Sequence, residues 1–435
     1  MKIIENSKVK EKLYIEKMKN RLTVMIIPKP GIQKKYMIWG TNYGSNDNKF
    51  IVPGETEITE VPNGVAHFLE HKLFEQPNGT NSLDTLTALG VNANAFTTND
   101  HTAYLFECTN NFYPAMDELM DYVQHPYFTD ENVEKEKGII GQEIKMYDDY
   151  PDWKVYLNAL KILYHENPMK IDVAGTVETI SHINKEILYK CYKTFYHPSN
   201  MFIVLTGNFN PEEALAIIEE NQSKKEFGEK KKIINKVVTE PKNVACTYKE
   251  IKKDVSIEKL ELALKIPMST FLKDGITEHE LVSSLNIILN SNFGSTSEFR
   301  ETLVDGNIIN NDVIYYASVC GNYLIIEFMC ETHYPKRLIT LLEEKINNLD
   351  IDEIEFNSKK KVAISNLILV FEDIERASEF ISSGIIKENE VPTYLFDTYS
   401  KLNLKTLKSI CKKINTDEEA VVVIKKNNTT SKKNK

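Results

Sequence analysis

Two histidines four residues apart, with a glutamate between them, carry the strongest chemical signal in this chain: His67-Phe68-Leu69-Glu70-His71. On a helix, residues at i and i+4 lie on one face, so both imidazoles can reach a single metal ion. Glu70 lies beside them, placed to take a proton from water at that metal. A catalytic zinc takes three protein ligands and leaves one position open, so a third ligand must come from elsewhere. The stretch from Glu136 to Glu143 is the best source. Those two glutamates are about two helical turns apart and share a face, so one can bind metal while the other orients a ligand. Spacing alone does not choose between them, and a charged helical face is also what any solvated helix carries.

Both segments read as helices. Pro62-Asn63-Gly64 is a start signal, and Val65, Phe68 and Leu69 form an apolar stripe. Thr129-Asp130-Glu131-Asn132 opens like a capped helix with acid in its first turn. Strands are expected at 22–28 and 36–40. A helix at 83–89, a hairpin through Asn94 and 104–108, and helices at 114–123 and 133–148 follow. The second half repeats the pattern: a strand at 257–266, a helix at 280–289, a hairpin ending at 327–330, then helices at 335–349 and from Asp352 onward. Cys108 and Cys330, like Asp130 and Asp352, are 222 residues apart. The same offset sets Leu289, Asn292 and Phe293 against His67, Glu70 and His71, and Ser365 against Glu143. We therefore expect an internal duplication whose second copy keeps the pattern and loses the metal.

The expected fold is α+β: two homologous domains, each a mostly antiparallel sheet with helices packed on one face. The N-terminal metal-binding domain is expected at 1–225, a charged linker at 226–244, the C-terminal domain at 245–424 and a basic disordered tail at 425–435. With 435 residues, 42% of them apolar and 27% charged, the chain has the composition of a soluble globular protein. It contains no apolar run of membrane-spanning length, and its first residues lack a secretory pattern. Six scattered cysteines without a C-x-x-C pair argue for reduced thiols in a cytoplasm. A net charge of −10 argues against nucleic acid as a partner. His101, His165 and His197 fall in turns and read as structural, and Trp153 and Tyr156 read as packing. Neither a Ser or Cys nucleophile signature nor a phosphate loop occurs.

Taken together, these residues resemble the pitrilysin/insulinase family of zinc metallopeptidases. The metal motif, Glu136 and Glu143 match. So do Gly90–Phe106, Gly175-Thr176 with Ser181, Tyr196–Met201 and Gly207-Asn208-Phe209. The runs at 134–153 and 195–201 are similar to a cytosolic bacterial subgroup, some of whose members are named for an association with elongation factor P modification. The resemblance implies Zn2+ held by His67, His71 and Glu143, with Glu70 as general base and Glu136 as a supporting carboxylate. It implies that Asn94 and Ala95 present an edge strand to an extended peptide substrate. It implies a dimer of two-domain units that admits peptides.

One departure stands out. Family members competent alone carry an Arg and a Tyr in the second half. Here Val304 and Asn310 stand at those positions, Arg300 is four residues out of phase, and Tyr315 and Tyr316 lie too far along. The implied partner is a paralogous subunit that supplies the pair in a heterodimer. A homodimeric housekeeping oligopeptidase and a non-catalytic scaffold subunit are the rival readings.

Overall fold

The computed structural model describes residues 1–6, 10–229, 232–236, 238–388 and 392–427. The chain forms two compact units, each discontinuous in sequence: Met1–Lys145, Ile171–Val237 and Ile368–Thr393 make the first, and Met146–Lys170, Val238–Leu367 and Tyr394–Lys435 the second.

The first unit is built on strands β1 (Lys2–Asn6), β2 (Glu11–Lys17), β3 (Thr23–Pro28), β4 (Lys35–Thr41), β5 (Lys49–Ile51), β6 (Ile58–Glu60), β7 (Asn92–Thr97), β8 (Thr102–Cys108), β9 (Met201–Gly207) and β10 (Ile234–Asn235). Its main sheet has the order β1-β2-β3-β9-β4-β8-β7, antiparallel except for β3 against β9. β9 is buried at every position and β4 at nearly every one, as central strands covered on both faces must be. The second unit has β11 (Tyr248–Lys253), β12 (Glu258–Pro267), β13 (Ile314–Cys320), β14 (Tyr323–Thr332) and β15 (Glu419–Lys426), in the order β11-β15-β12-β14-β13. Among the described residues its one parallel pair is β11 with β15. The five strands β3-β9-β4-β8-β7 thus have their topological equivalents in the second sheet, as a duplication requires.

The α+β expectation is met, with helices on both faces of each sheet rather than on one. Helix Pro151–Leu163 packs on β12 and β15 in the second unit, although it lies in the first half of the chain. Helix Ile374–Glu388 packs on β9 and β4 in the first unit, although it lies in the second half. The two helices sit near the same 222-residue offset, so each copy contributes one helix to the other's sheet. This also departs from the sequential domain boundaries. The physical reason is strand alternation: Leu260, Leu262 and Leu264 face one way along β12, while Glu261, Ala263 and Lys265 face the other, and all are buried. A face so buried needs its own cover.

The expected linker at 226–244 contains order. β10 pairs with β5, and Glu240 forms an ion pair with Lys265, whose side chain is fully buried. The Glu240 carboxylate also accepts the backbone N–H groups of His165, Glu166 and Asn167 at 2.8–2.9 Å. Of the expected tail, Lys425 and Lys426 end β15, and 428–435 lie outside the described residues. No helix among the described residues is long and apolar enough to cross a membrane.

Candidate metal centre

The motif occupies helix Val65–Lys72, eight residues whose apolar side is buried in the first unit's core. Its start is fixed by two glycines with positive φ. Gly64 (φ 95°) precedes the helix, and a Cβ there would meet the Ala174 carbonyl oxygen at 2.5 Å. Gly175 (φ 73°) lies across from it, and its Cβ would meet the Asn63 carbonyl oxygen at 2.5 Å. Two loops thus interlock at a distance only glycine permits, and they set the helix's entry angle.

His67 and His71 project from one face of this helix, with ring centroids 4.6 Å apart. Glu143 reaches them from the long helix Asp130–Asp148. Its carboxylate oxygens lie 3.7 Å from His67 Nε2 and 3.5 Å from His71 Nε2. All three donor groups fall within 4.8 Å of one another. Ligand atoms about 2.0–2.2 Å from a tetrahedral zinc would be roughly 3.3–3.5 Å from each other, so these gaps fit an ion held between the groups. Glu136 takes the other role that spacing allowed: its carboxylate meets His71 Nδ1 at 3.0 Å and so orients the ring. His67 Nδ1 is buried and has no hydrogen-bond partner among the described residues.

Electrostatics separate the groups. Burial, reinforced by the neighbouring His71, pushes His67 down to about 3, which keeps it neutral and able to bind metal. Burial works the same way on His71, but the hydrogen bond it donates to Glu136 and the surrounding carboxylates prevail and raise it. Burial would raise Glu136, yet its bonds to His71 and Lys72 hold it below the usual range. Burial pushes Glu70 up to about 7, a poise suited to taking and returning a proton near neutrality.

Asn94 and Ala95 lie on β7, which among the described residues pairs only with β8 and so leaves an open sheet edge. The Ala95 N–H donates to the Asn94 side-chain oxygen at 2.9 Å, a contact that an added strand would displace. A cavity of about 340 Å³ joins this edge to the helix, lined by Glu70, His71, Phe74, Ala93, Ala95 and Ile139 among others.

Two neighbours of the site carried no functional reading in the sequence. Lys72 is fully buried at the end of the motif helix, 2.6 Å from Glu75 and 3.5 Å from Glu136. Its only signal was Glu75 three residues on. Thr97 donates to Glu70 Oε2 at 2.6 Å. Its signal was its place at the end of the Asn94-Ala95-Phe96-Thr97 stretch.

A model of the insulinase family (peptidase family M16) matches residues 51–177, and one of the M16 inactive domain matches 182–357. A Bacillus subtilis protein named "Uncharacterized zinc protease YmfH" is 39% identical over 94% of this chain and 95% of its own length. The chain belongs to the insulinase family of peptidases, M16. A solved structure, "Crystal structure of putative M16-like peptidase from Alicyclobacillus acidocaldarius", superposes with a TM-score of 0.89 at 30% identity, covering 97% of this chain and 99% of that one. A protease from Helicobacter pylori shares the fold at 17% identity, with a TM-score of 0.80 over 95% of this chain and 100% of that one.

Arg300 and Tyr315 of the second unit are engaged locally. Arg300 Nε donates to Asp312 at 2.7 Å, and Tyr315 is hydrogen-bonded to Asn290 and packs against Phe293. Tyr316 is 63% exposed on β13. Val304 is half-buried and Asn310 exposed. His101 is held by Asp100 and Thr98, His197 by Ser199 and Gly228, and the Trp153 and Tyr156 rings pack at a tilt, 5.6 Å apart. Each keeps the structural reading it had in the sequence.

Proposed function

We propose that this chain is a zinc metalloendopeptidase that cleaves peptides or small precursor polypeptides, and that it is the metal-bearing subunit of a heterodimer. One observation carries the reading: His67 Nε2, His71 Nε2 and the Glu143 carboxylate converge beside Glu70 and an open sheet edge. The cofactor is zinc. Bound there, zinc supplies Lewis acidity toward water and the scissile carbonyl. Glu70 takes the proton of the attacking water and returns it to the leaving amine. Glu136 keeps the His71 ring in place through its Nδ1. An extended peptide adds to β7 at Asn94 and Ala95, so that main-chain bonds fix its register. The adjoining 340 Å³ cavity takes one bulky side chain next to the scissile bond.

A partner is proposed because this chain offers little to stabilise the oxyanion. Arg300 and Tyr315 are tied to Asp312 and Asn290, while Val304 and Asn310 carry neither a cationic nor a phenolic donor. Losing one such donor typically costs ~10²–10³ in rate. We place the protein in the cytoplasm, where six free cysteines remain reduced. We also assign the chain to the cytosolic bacterial subgroup some of whose members are named for an association with elongation factor P modification.

The test is a fluorogenic peptide library assayed with the purified chain, then with a co-expressed paralogue that carries the Arg and Tyr, alongside zinc analysis and gel filtration. The expected result is about one zinc per chain and turnover that rises at least tenfold with the partner. Full turnover by a homodimer would replace the heterodimer reading with the oligopeptidase one. A zinc-free, inactive chain would mark a scaffold subunit.

A further inference from the structure

We propose that Thr97 is a positioning residue that holds Glu70 in place as the proton acceptor and keeps it out of the metal's ligand set. The proposal rests on the peptidase reading only for Glu70's role as base; the anchoring itself stands on geometry. Thr97 closes β7 and faces Thr102 across the hairpin, where β8 begins. Thr102 is fully buried, and its hydroxyl donates to the Tyr43 carbonyl at 2.9 Å. With its one proton so engaged, Thr102 can offer Thr97 only a lone pair. Thr97 has a single proton and two acceptors within reach, Glu70 Oε2 at 2.6 Å and Thr102 Oγ1 at 3.2 Å. The shorter contact is to a carboxylate, and a charge-assisted bond is roughly twice as strong as a neutral one. The hydroxyl therefore points at Glu70.

Glu70 needs such a hold. It lies one residue before His71 and three after His67, close to where both rings converge. A glutamate has three side-chain torsions, and a free carboxylate is itself a good zinc ligand. Untied, it could swing in and close the position that water and substrate need. Thr97 suits the task because a β-branched residue in a strand has little χ1 freedom, and its backbone is paired to β8. The anchor thus runs from rigid sheet to reacting carboxylate through one hydroxyl.

Thr97→Val removes that hydroxyl at nearly constant shape, and Thr97→Ser restores it. For the parent in its active assembly, Thr97→Val is expected to lower kcat ~10–100-fold, with KM within about threefold and zinc content unchanged. Thr97→Ser is expected to stay within about threefold of the parent. Visible absorption of the Co(II)-substituted chain provides a readout independent of turnover. The Thr97→Val bands should change as Glu70 joins the ligand set, and Glu70→Gln added to Thr97→Val should restore the parental bands. If Thr97→Val does not fold, Thr97→Ala takes its place in both measurements. Parental kcat together with parental cobalt bands in the hydroxyl-free variant would overturn the proposal. If the parent binds cobalt but hydrolyses no peptide with or without a partner, the peptidase reading fails and the bands alone decide on Thr97. A parent that binds neither metal sinks both.

Discussion

Glu261→Gln should stabilise the second unit at alkaline pH and do nothing at acid pH. Glu261 on β12 and Glu327 on β14 share the sheet face covered by helix Pro151–Leu163, on diagonal positions of one ladder. Each keeps one buried carboxylate oxygen without a hydrogen-bond partner among the described residues. Burial pushes Glu327 up to about 7. Burial raises Glu261 further, followed by the negative charge of Glu327 and the hydrogen bond that a protonated Glu261 donates to it. Charged neighbours do not relieve the pair: Lys259 is engaged by Asp152 and Glu331, and Lys265 by Glu240. Tyr156 approaches from the covering helix as a neutral phenol raised by burial.

The sign follows from proton counting. Folded pKa values lie above the unfolded value of about 4.3, so the folded state binds more protons between the two. Stability is greatest below about pH 4.3 and is lost as pH rises through 7 and beyond. The Glu327 shift alone, from about 4.3 to about 7, corresponds to ~3.7 kcal/mol, since each unit is 1.36 kcal/mol. Local relaxation and the charge left on Glu327 reduce the gain from Glu261→Gln to roughly 2 kcal/mol. The amide keeps the donated hydrogen bond and needs no proton. For a unit of this size that is an upward shift of ~4–8 °C in the unfolding midpoint at pH 8, falling to about zero near pH 4.5. Scanning calorimetry of both proteins at the two pH values measures it. An equal shift at both pH values, or destabilisation at pH 8, would refute the protonated-pair reasoning.

Three further outcomes are expected. His67→Ala, His71→Ala and Glu143→Gln should lose zinc by elemental analysis, whereas Glu70→Gln should keep it and lose turnover; a Glu143→Gln that retains parental zinc affinity would transfer the third-ligand role elsewhere. Glu136→Gln should reduce zinc affinity or turnover ~10–100-fold without abolishing binding, as measured by chelator competition and steady-state kinetics. Lys265→Met leaves the buried Glu240 carboxylate without its cation, and should cost ~3–5 kcal/mol in denaturant unfolding of the second unit; a cost below 1 kcal/mol would make that pair incidental.

What could be read from the sequence was what local geometry determines. The i, i+4 histidines needed only a helix to become a pair, and helix Val65–Lys72 supplies it. The 222-residue offset was visible at Cys108 and Cys330, and the structure extends it: helices Asp130–Asp148 and Glu353–Val370 coincide under it to within one residue, as do Phe112–Gln124 and Pro335–Asn347. Glu143 was ambiguous with Glu136 because both face the same way, and only the approach of two helices separates them. The exchange of helices Pro151–Leu163 and Ile374–Glu388 could not be read either, because an apolar face does not say which sheet it will cover. The β1–β2 hairpin was missed for a related reason: its alternation is weak, and β2 gains its burial from β3. Lys72 reads as an ordinary helix-terminal lysine until the fold encloses it.

The two copies show how one backbone position can be answered in opposite ways. Where the first copy has His67, Glu70 and His71, the second has Leu289, Asn292 and Phe293 near the end of helix Glu278–Phe293. Leu289 and Phe293 are core residues, with Phe293 packed against Phe299 and Phe328 at centroid distances of 5.6 and 4.7 Å. The Asn292 amide is satisfied by the carbonyls of Ile288 and Asp350 at 2.8 and 3.0 Å. That arrangement is complete in itself, apolar where it packs and paired where it is polar. The first copy instead buries a carboxyl raised to about 7, an imidazole lowered to about 3 and a fully enclosed lysine along one short helix. Such groups are costly to enclose unless each is paired. Glu136 and Glu75 answer Lys72, Glu136 answers His71 Nδ1, and Thr97 answers Glu70. What stays open is the side where the two Nε2 atoms and the Glu143 carboxylate face one another, too far apart to bond directly and spaced for a cation between them. The second copy shows that this fold is stable with that position filled by packing, so the polar set in the first is explained by what it binds and not by what the fold requires.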